Sequence, residues 1–274
     1  MARLLWLVAI LLIASMSANG QEIEEEKTKD SDKWLWDIQV NMGAGFYKHP
    51  LKYVEQDDTI DYLELTFSLD LYYKGFFIQS NRRRSSAAEI DFGYQVFTSE
   101  DWAVDIILKS FFEDISQEDL DKSNASHLSP RNEAIGIAMR YTHYLDDALI
   151  TIDTATINIE NSANGWALET FYSHLIPYRN WDIYLGAGIT FLSADTVNYY
   201  VGINAKDARE SLPNYRPGAA YAIETEAHAI YPLAEDWTLR LGITKSYLSD
   251  NLSNSPIGIR SNTTYFKLGF NYVF

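Results

Sequence analysis

From Trp34 onward, apolar and polar residues change places at every second position. In 34–46, Trp34, Trp36, Ile38, Val40, Met42, Ala44 and Phe46 form one row, and Asp37, Gln39, Asn41, Gly43 and Gly45 form the other. In 63–73, Leu63, Leu65, Phe67, Leu69, Leu71 and Tyr73 oppose Glu64, Thr66, Ser68 and Asp70. A period of two over such lengths is a β-strand with one apolar and one polar face, and no helical spacing fits it. The alternation returns at 90–96, 102–109, 135–142, 181–191, 221–229, 237–244 and 265–274, and more weakly at 75–84, 148–158 and 166–176. Together these segments predict about twelve strands of about ten residues, the length a tilted strand needs to cross a bilayer.

The links between them set the architecture. Alternate links are short: Lys74-Gly75, Ser99 to Asp101, Leu145 to Asp147, Pro177 to Asn180 and Pro232 to Asp236. The others, at 48–59, 113–132, 159–165, 193–216 and 249–262, are longer and polar, with 82–87 the short exception. Short turns at one end and long loops at the other are the layout of outer-membrane barrels. The predicted fold class is therefore all-β: a transmembrane antiparallel up-and-down β-barrel with both termini at its periplasmic, short-turn end. Trp102, Trp181 and Trp237 each open a strand directly after a short turn. That places three indoles at one height as an interfacial girdle, where the headgroup layer suits both an apolar ring and an N–H donor. The last strand carries Phe270, Tyr272 and Phe274. These are expected to form the aromatic assembly signal of the barrel and to close it against the strand near 34–46.

The first residues do not share the pattern. Arg3, an apolar run from Leu4 to Ile13 and the small residues Ala18 and Gly20 have the layout of a secretory signal peptide, expected to span 1–20. Residues 21–33 are polar and mostly acidic, an expected periplasmic tail that is either simply solvated or a docking segment. The barrel domain is expected over 34–274. With a mean hydropathy of −0.21 and no later apolar run of helical spanning length, the chain does not read as a helical membrane protein. The formal charge of −16, or −17 without Arg3, makes nucleic acid an unsuitable partner. The absence of cysteine excludes a disulfide scaffold and thiol chemistry. The expected location is the outer membrane of a Gram-negative bacterium, with outer-membrane lipid as the first partner.

If the apolar row meets lipid, the polar row faces the lumen. Its charged candidates are Glu64, Asp70, Glu89, Asp91, Arg140, Asp182, Glu224, Glu226, Arg240 and Lys267. Two readings stay open: a packed, ion-paired, hydrated interior, or a small cation-preferring channel. Arg82, Arg83 and Arg84, at the outer end of the third strand, are either lipid-phosphate contacts or solvated loop charge. No nucleophile motif emerges: Ser173 and His174 are adjacent on a strand and face opposite ways. His143 and His174 lie in the apolar phase. The Gly-Ala-Gly runs at 43–45 and 186–188 sit within strands, so neither is a phosphate loop. No enzyme, cofactor or metal is expected.

One block carries a resemblance. "NYYVGINAKDARESLPNYRPG" (198–218) resembles the Tyr-Tyr-x-Gly-Val-x-x-x-Glu-Ala segment of the MipA/OmpV family of outer-membrane proteins. Asp207-Ala208 stands where the family often has Glu-Ala, Tyr215 matches its later tyrosine, and "YYVGI" departs from the usual order. "YPLAEDWTLRLGI" (231–243) and "SNSPIGIRSNTTYFKLGFNYVF" (253–274) resemble its next blocks, including Ser255-Pro256, and "DFGYQVFTSEDWAVDIIL" (91–108) is a looser match. The resemblance implies a non-enzymatic outer-membrane barrel. The best-known member of that family is a scaffold joining a murein-degrading lytic transglycosylase to a bifunctional murein synthase, and other members have roles in adhesion or permeability. Those two periplasmic enzymes are the implied partners. The residues themselves identify neither the contact nor the oligomeric state.

Overall fold

Twelve strands follow one another in chain order in the computed structural model of the chain: β1 (Leu35–Tyr47), β2 (Tyr62–Tyr73), β3 (Phe76–Ser80), β4 (Ile90–Thr98), β5 (Trp102–Ser110) and β6 (Ile135–Tyr144), then β7 (Ala148–Ile157), β8 (Gly165–Tyr178), β9 (Trp181–Leu192), β10 (Ala220–Ala234), β11 (Trp237–Leu248) and β12 (Asn262–Val273). The structure describes residues 34–47, 62–80, 90–111, 114–122, 125–133, 135–157 and 165–273, with backbone only for 46–47 and 62–67. The expected signal segment, the acidic tail, Arg82, Arg83, Arg84, Glu89, Phe274 and the side chain of Glu64 lie outside the described residues.

Every strand pairs antiparallel with its neighbours in sequence, and β12 returns to β1, so the sheet is a closed barrel. The closing ladder runs from Gln39 opposite Val273 to Tyr47 opposite Tyr265. Closure removes the two edges that an open sheet would present, whose unpaired backbone groups hydrocarbon does not tolerate. Among the described residues no helix is long and apolar enough to cross a membrane. The β2–β3 hairpin turns on two residues, Lys74 (φ 50°) and Gly75 (φ 86°), the mirror-image turn that matches strand twist.

The outward row of each strand is apolar and exposed: Phe92, Ile106, Leu108, Ile137, Met139, Ile243, Leu268 and Phe270 all belong to it. An apolar surface of this extent is a liability in water and is well solvated by acyl chains. The inward row is mostly small or polar, with a few large apolar side chains such as Phe77, Ile107 and Phe171. Both Gly-Ala-Gly runs have a steric purpose there. A Cβ on Gly186 would lie 2.6 Å from Phe171 Cζ, and one on Gly188 would lie 2.8 Å from Phe171 Cδ2, so this pair makes room for an interior ring. In the closing ladder, Gly43 opposes Gly269, and a Cβ on Gly43 would lie 2.7 Å from Leu268 O.

The long links differ from the polar loops their composition suggests. Parts of three of them fold together as a cap with its own apolar core. The β5–β6 link contributes α1 (Gln117–Lys122), the β9–β10 link α2 (Ala194–Val201), and the β11–β12 link α3 (Asp250–Ser253). Leu120, Val197, Tyr200, Ile203, Leu252 and Ile257 are buried in one cluster. That cluster continues into Ile157, Ala167, Leu192 and Ala220, at the long-loop ends of β7, β8, β9 and β10. The cap is therefore packed into the mouth of the barrel along this arc rather than standing above it.

Candidate functional site

Three regions carry chemistry: the interior, the cap and the short-turn rim. The interior is built by cross-strand pairing. On β6 and β7, Arg140 lies directly opposite Asp153, and on β8 Glu169 lies opposite Asp153. Arg140 donates from Nε to Asp153 Oδ1 and from Nη2 to Asp153 Oδ2, both at 2.8 Å, a bidentate fork, and from Nη1 to Asp91 Oδ2 on β4. Lys109, on β5, donates to Asp153 Oδ2 at 2.8 Å and to Glu169 Oε1 at 2.6 Å. Thr190 Oγ1, on β9, donates to Glu169 Oε2 at 3.4 Å. A single hydrogen-bonded chain thus crosses six consecutive strands, and its members are buried or nearly so, with Arg140 8% and Asp153 1% exposed. Buried charges persist only when matched in this way.

The opposite wall is polar but more dispersed. Asp70 Oδ1 accepts from the Ser80 backbone N–H at 2.8 Å, and Asn41 donates to Ser68 Oγ at 3.0 Å. Glu224 is half-buried and accepts from Ser246 Oγ at 3.3 Å. Glu226 and His228 are buried, with His228 Nδ1 4.0 Å from Glu226 Oε1 and the imidazole stacked on Tyr184 at 4.6 Å. Arg240 and Lys267 are buried within the same wall. Asp182 sits apart from these groups, exposed at the short-turn end of β9. Sequence reasoning took the inward row to be polar and did not find its apolar layer, Phe77, Ile107, Ala138 and Ala155, which packs beside the charge chain.

The cap is fastened by specific bonds between its loops. Tyr200 Oη donates to Asn132 O at 2.8 Å, while the Asn132 N–H donates to Tyr199 Oη at 3.1 Å. Ser255 Oγ donates to Val201 O at 2.8 Å, and Tyr215 Oη to Asn251 O at 3.1 Å. Asn251 Nδ2 donates to Ala219 O at 2.7 Å. Helix α2 begins on Ser193, whose hydroxyl accepts from the Thr196 N–H, an N-cap that stabilises the first turn. Residues 198–218, with Ser255, are thus cap-building residues. The apolar residues of "polar" links, Val197, Val201, Ile203, Leu212, Ile257 and Ile259, were the signal available for the cap; only Val197, Tyr200 and Val201 share a helical spacing, on the short α2, and the rest follow no single period.

Burial pushes the Tyr200 phenol above its ordinary value. The folded cap therefore favours the protonated ring. Its contribution to stability is complete below the ordinary phenol pKa of about 10 and falls as pH rises past it, because the unfolded loop ionises first and the phenolate cannot donate to Asn132. Proteolysis of the cap is expected to accelerate above about pH 10 in the wild type. Tyr200→Phe should be cleaved faster at neutral pH, having lost one hydrogen bond, and should show a smaller alkaline acceleration. An unchanged alkaline profile in Tyr200→Phe would remove Tyr200 from this role.

At the other end, each girdle tryptophan meets an aromatic ring of another strand. Trp102 stacks on Phe97 at 4.3 Å, Trp181 lies 4.8 Å from Tyr231, and Trp237 packs edge-on against Tyr272 at 5.1 Å. Trp34 stacks on Tyr73 at 4.3 Å and adds a fourth indole that the turn rule did not single out. Phe270 is exposed on the outward face, one outward position before Tyr272. The turns below are tied to the adjoining hairpins: Tyr144 N–H donates to Asp101 O, Leu175 N–H to Asp147 O, and Val273 N–H to Asp236 O. The carbonyls hold the turns while their side chains face out. Glu100, Asp101, Asp146, Asp147, Asp182, Glu235 and Asp236 are all exposed on this rim, against Lys74 and Arg179.

Comparison with known proteins gives this arrangement a family. The family model described as MltA-interacting protein MipA matches residues 42–274. The MltA-interacting protein of Escherichia coli (strain K12) is 27% identical over 149 residues, covering 54% of this chain and 60% of that relative, so the match spans less than two thirds of the relative's length. The outer membrane protein OmpV of Vibrio cholerae is 27% identical over 100 residues, 36% of this chain and 39% of that protein. Among solved structures, the outer membrane channel DcaP of Acinetobacter baumannii aligns at 8% identity with a TM-score of 0.45, over 90% of this chain and 99% of DcaP. The NanC porin aligns at 9% identity and 0.41, over 85% of this chain and 98% of NanC. Neither structural likeness is needed for the fold, which rests on the chain's own ladders. The chain belongs to the MipA family, and it is an outer-membrane β-barrel protein.

Proposed function

We propose that this chain is a capped barrel scaffold that presents its acidic short-turn rim to a periplasmic murein-degrading enzyme. The observation that carries the reading is the division of labour between the two ends. The long-loop end buries a folded cap in the mouth, while the short-turn end exposes carboxylates on turns whose backbones are tied down. Outer-membrane barrels direct their short turns to the periplasm. A rigid rim rich in one sign of charge suits docking, because it costs little ordering entropy and steers an oppositely charged partner. A relative in Escherichia coli is named for an interaction with MltA. By this reading the partner is a lytic transglycosylase with a basic docking face, and a murein synthase joins through the same complex.

Co-purification from native envelopes tests it. The wild-type chain should recover a lytic transglycosylase. The combined variant Asp146→Lys, Asp147→Lys, Glu235→Lys and Asp236→Lys should recover about tenfold less or lower, with the loss largest at low salt. Equal recovery by both proteins would place the contact elsewhere, and no murein enzyme with the wild type would end the scaffold reading. The alternative of a cation-preferring channel rests on the inward carboxylates Glu224 and Glu226 and has the cap against it.

A further inference from the structure

On the membrane-facing surface, a groove of about 580 Å³ runs across the wall from β1 to β6. Trp34, Tyr73 and Phe76 line one end of it, and Ile78, Ile106 and Leu108 are among the residues along its length. Phe76, 65% exposed, and Ile106 and Leu108, each 48% exposed, belong to the outward row, so whatever fills the groove enters from the bilayer. Beyond the Leu71–Ile78 pair, β2 and β3 are joined through side chains: the Leu69 N–H donates to Ser80 Oγ at 2.9 Å, and the Ser80 N–H to Asp70 Oδ1. The wall departs from a regular ladder beside the groove.

We infer that this groove is a binding site for one acyl chain of a glycerophospholipid whose headgroup phosphate lies by Lys74. Four observations converge on that occupant. The lining is apolar nearly throughout, which suits hydrocarbon and offers nothing to a polar chain. The groove is continuous with the lipid-facing belt, so its solvent is the bilayer itself. Its Trp34–Tyr73 end carries two rings stacked at 4.3 Å and 6°, the flat amphipathic platform that favours headgroup depth. Beside that platform Lys74 is exposed, on the turn that joins β2 to β3, with its Nζ 5.4 Å from the Tyr73 ring centroid. The ammonium lies over an aromatic face at the depth of the headgroup layer, where a lysine can meet a phosphate at a membrane surface. The Lys74 end is the short-turn end, and hence the inner leaflet. Phospholipid fills that leaflet, whereas lipopolysaccharide occupies the outer one.

Native mass spectrometry of the mature protein tests the site, after transfer from vesicles of phosphatidylglycerol, phosphatidylethanolamine and lipopolysaccharide into mild detergent. The wild type should retain one phospholipid per barrel. Ile106→Trp, whose indole fills the groove from the outward face, should lower that retention by about tenfold. Lys74→Glu should lower retention of phosphatidylglycerol more than that of phosphatidylethanolamine. Unheated gel mobility reports whether each variant is folded, and Leu108→Trp serves in place of Ile106→Trp if that variant does not fold. Retention unchanged in a folded groove-filling variant, retention of lipopolysaccharide instead, or no retained lipid in the wild type would each overturn the assignment. The outcome is independent of the scaffold reading, which concerns the rim.

Discussion

Replacing Arg140 with methionine should destabilise the barrel by about 3–5 kcal/mol, the cost of removing one partner from a buried ion pair. Arg140 is the point at which β4, β6 and β7 are joined from inside, through Asp91 and a bidentate bond to Asp153. Methionine conserves much of the volume, so the loss isolates charge and hydrogen bonding from packing. It leaves Asp91 without its arginine, while Asp153 keeps Lys109. Arg140→Lys should recover only part of the loss, because an ammonium cannot reproduce the fork. The converse is also informative. A variant replacing Arg140, Asp91 and Asp153 together with apolar residues of similar volume should be less destabilised than Arg140→Met, since it leaves fewer orphan charges behind. Urea unfolding in lipid vesicles, followed by tryptophan fluorescence, measures all three. A loss below about 1 kcal/mol in Arg140→Met would mean the interior is wet enough to solvate the freed carboxylates.

The second large effect is expected in the cap. Ile257→Asp places a carboxylate at a position with 0% exposure, in the core shared by α2, α3 and the barrel mouth. Losing the isoleucine alone costs about 2–5 kcal/mol, and an unpaired buried charge adds to that. The cap holds few ladder bonds of its own, so it should open as a unit while the twelve-stranded wall persists. Trypsin should then cut at Lys206 and Arg209 at least about tenfold faster than in the wild type, with unheated gel mobility of the barrel retained. Planar-bilayer recordings extend the test: a silent wild type and an Ile257→Asp variant that passes ions would identify the cap as the seal. If the cap is cleaved no faster, its core does not carry its stability.

How much of this was legible in the sequence depends on what each face touches. Strands such as β1, β9 and β12 meet lipid on one side and a polar or glycine-lined interior on the other, so their alternation is sharp. The faint segments were 75–84, 148–158 and 166–176, and the structure gives the cause. In β3, β7 and β8 the inward row holds Phe77, then Ala155 and Ile157, then Ala167, residues packed in the interior layer or against the cap. Where both faces are apolar, a period of two fades. The short turns and girdle tryptophans were legible because one local rule places each of them. The partners of those indoles, Phe97, Tyr231 and Tyr272, depend on register between strands, which alternation alone does not supply. The cap was hidden for a related reason. Its apolar residues come from three loops far apart in the chain, and their pattern exists only in space.

The proposed scaffold role requires the partner to be met at the short-turn rim. Site-specific photo-cross-linking in intact envelopes tests it most directly, with a photoreactive residue placed in turn at Asp146, at Glu235 and, on the cap, at Glu210. Cross-links to a lytic transglycosylase from Asp146 and Glu235 but not from Glu210 are the predicted result. Cross-links to that enzyme from Glu210 alone, or from none of the three, would show that the rim is not the docking surface.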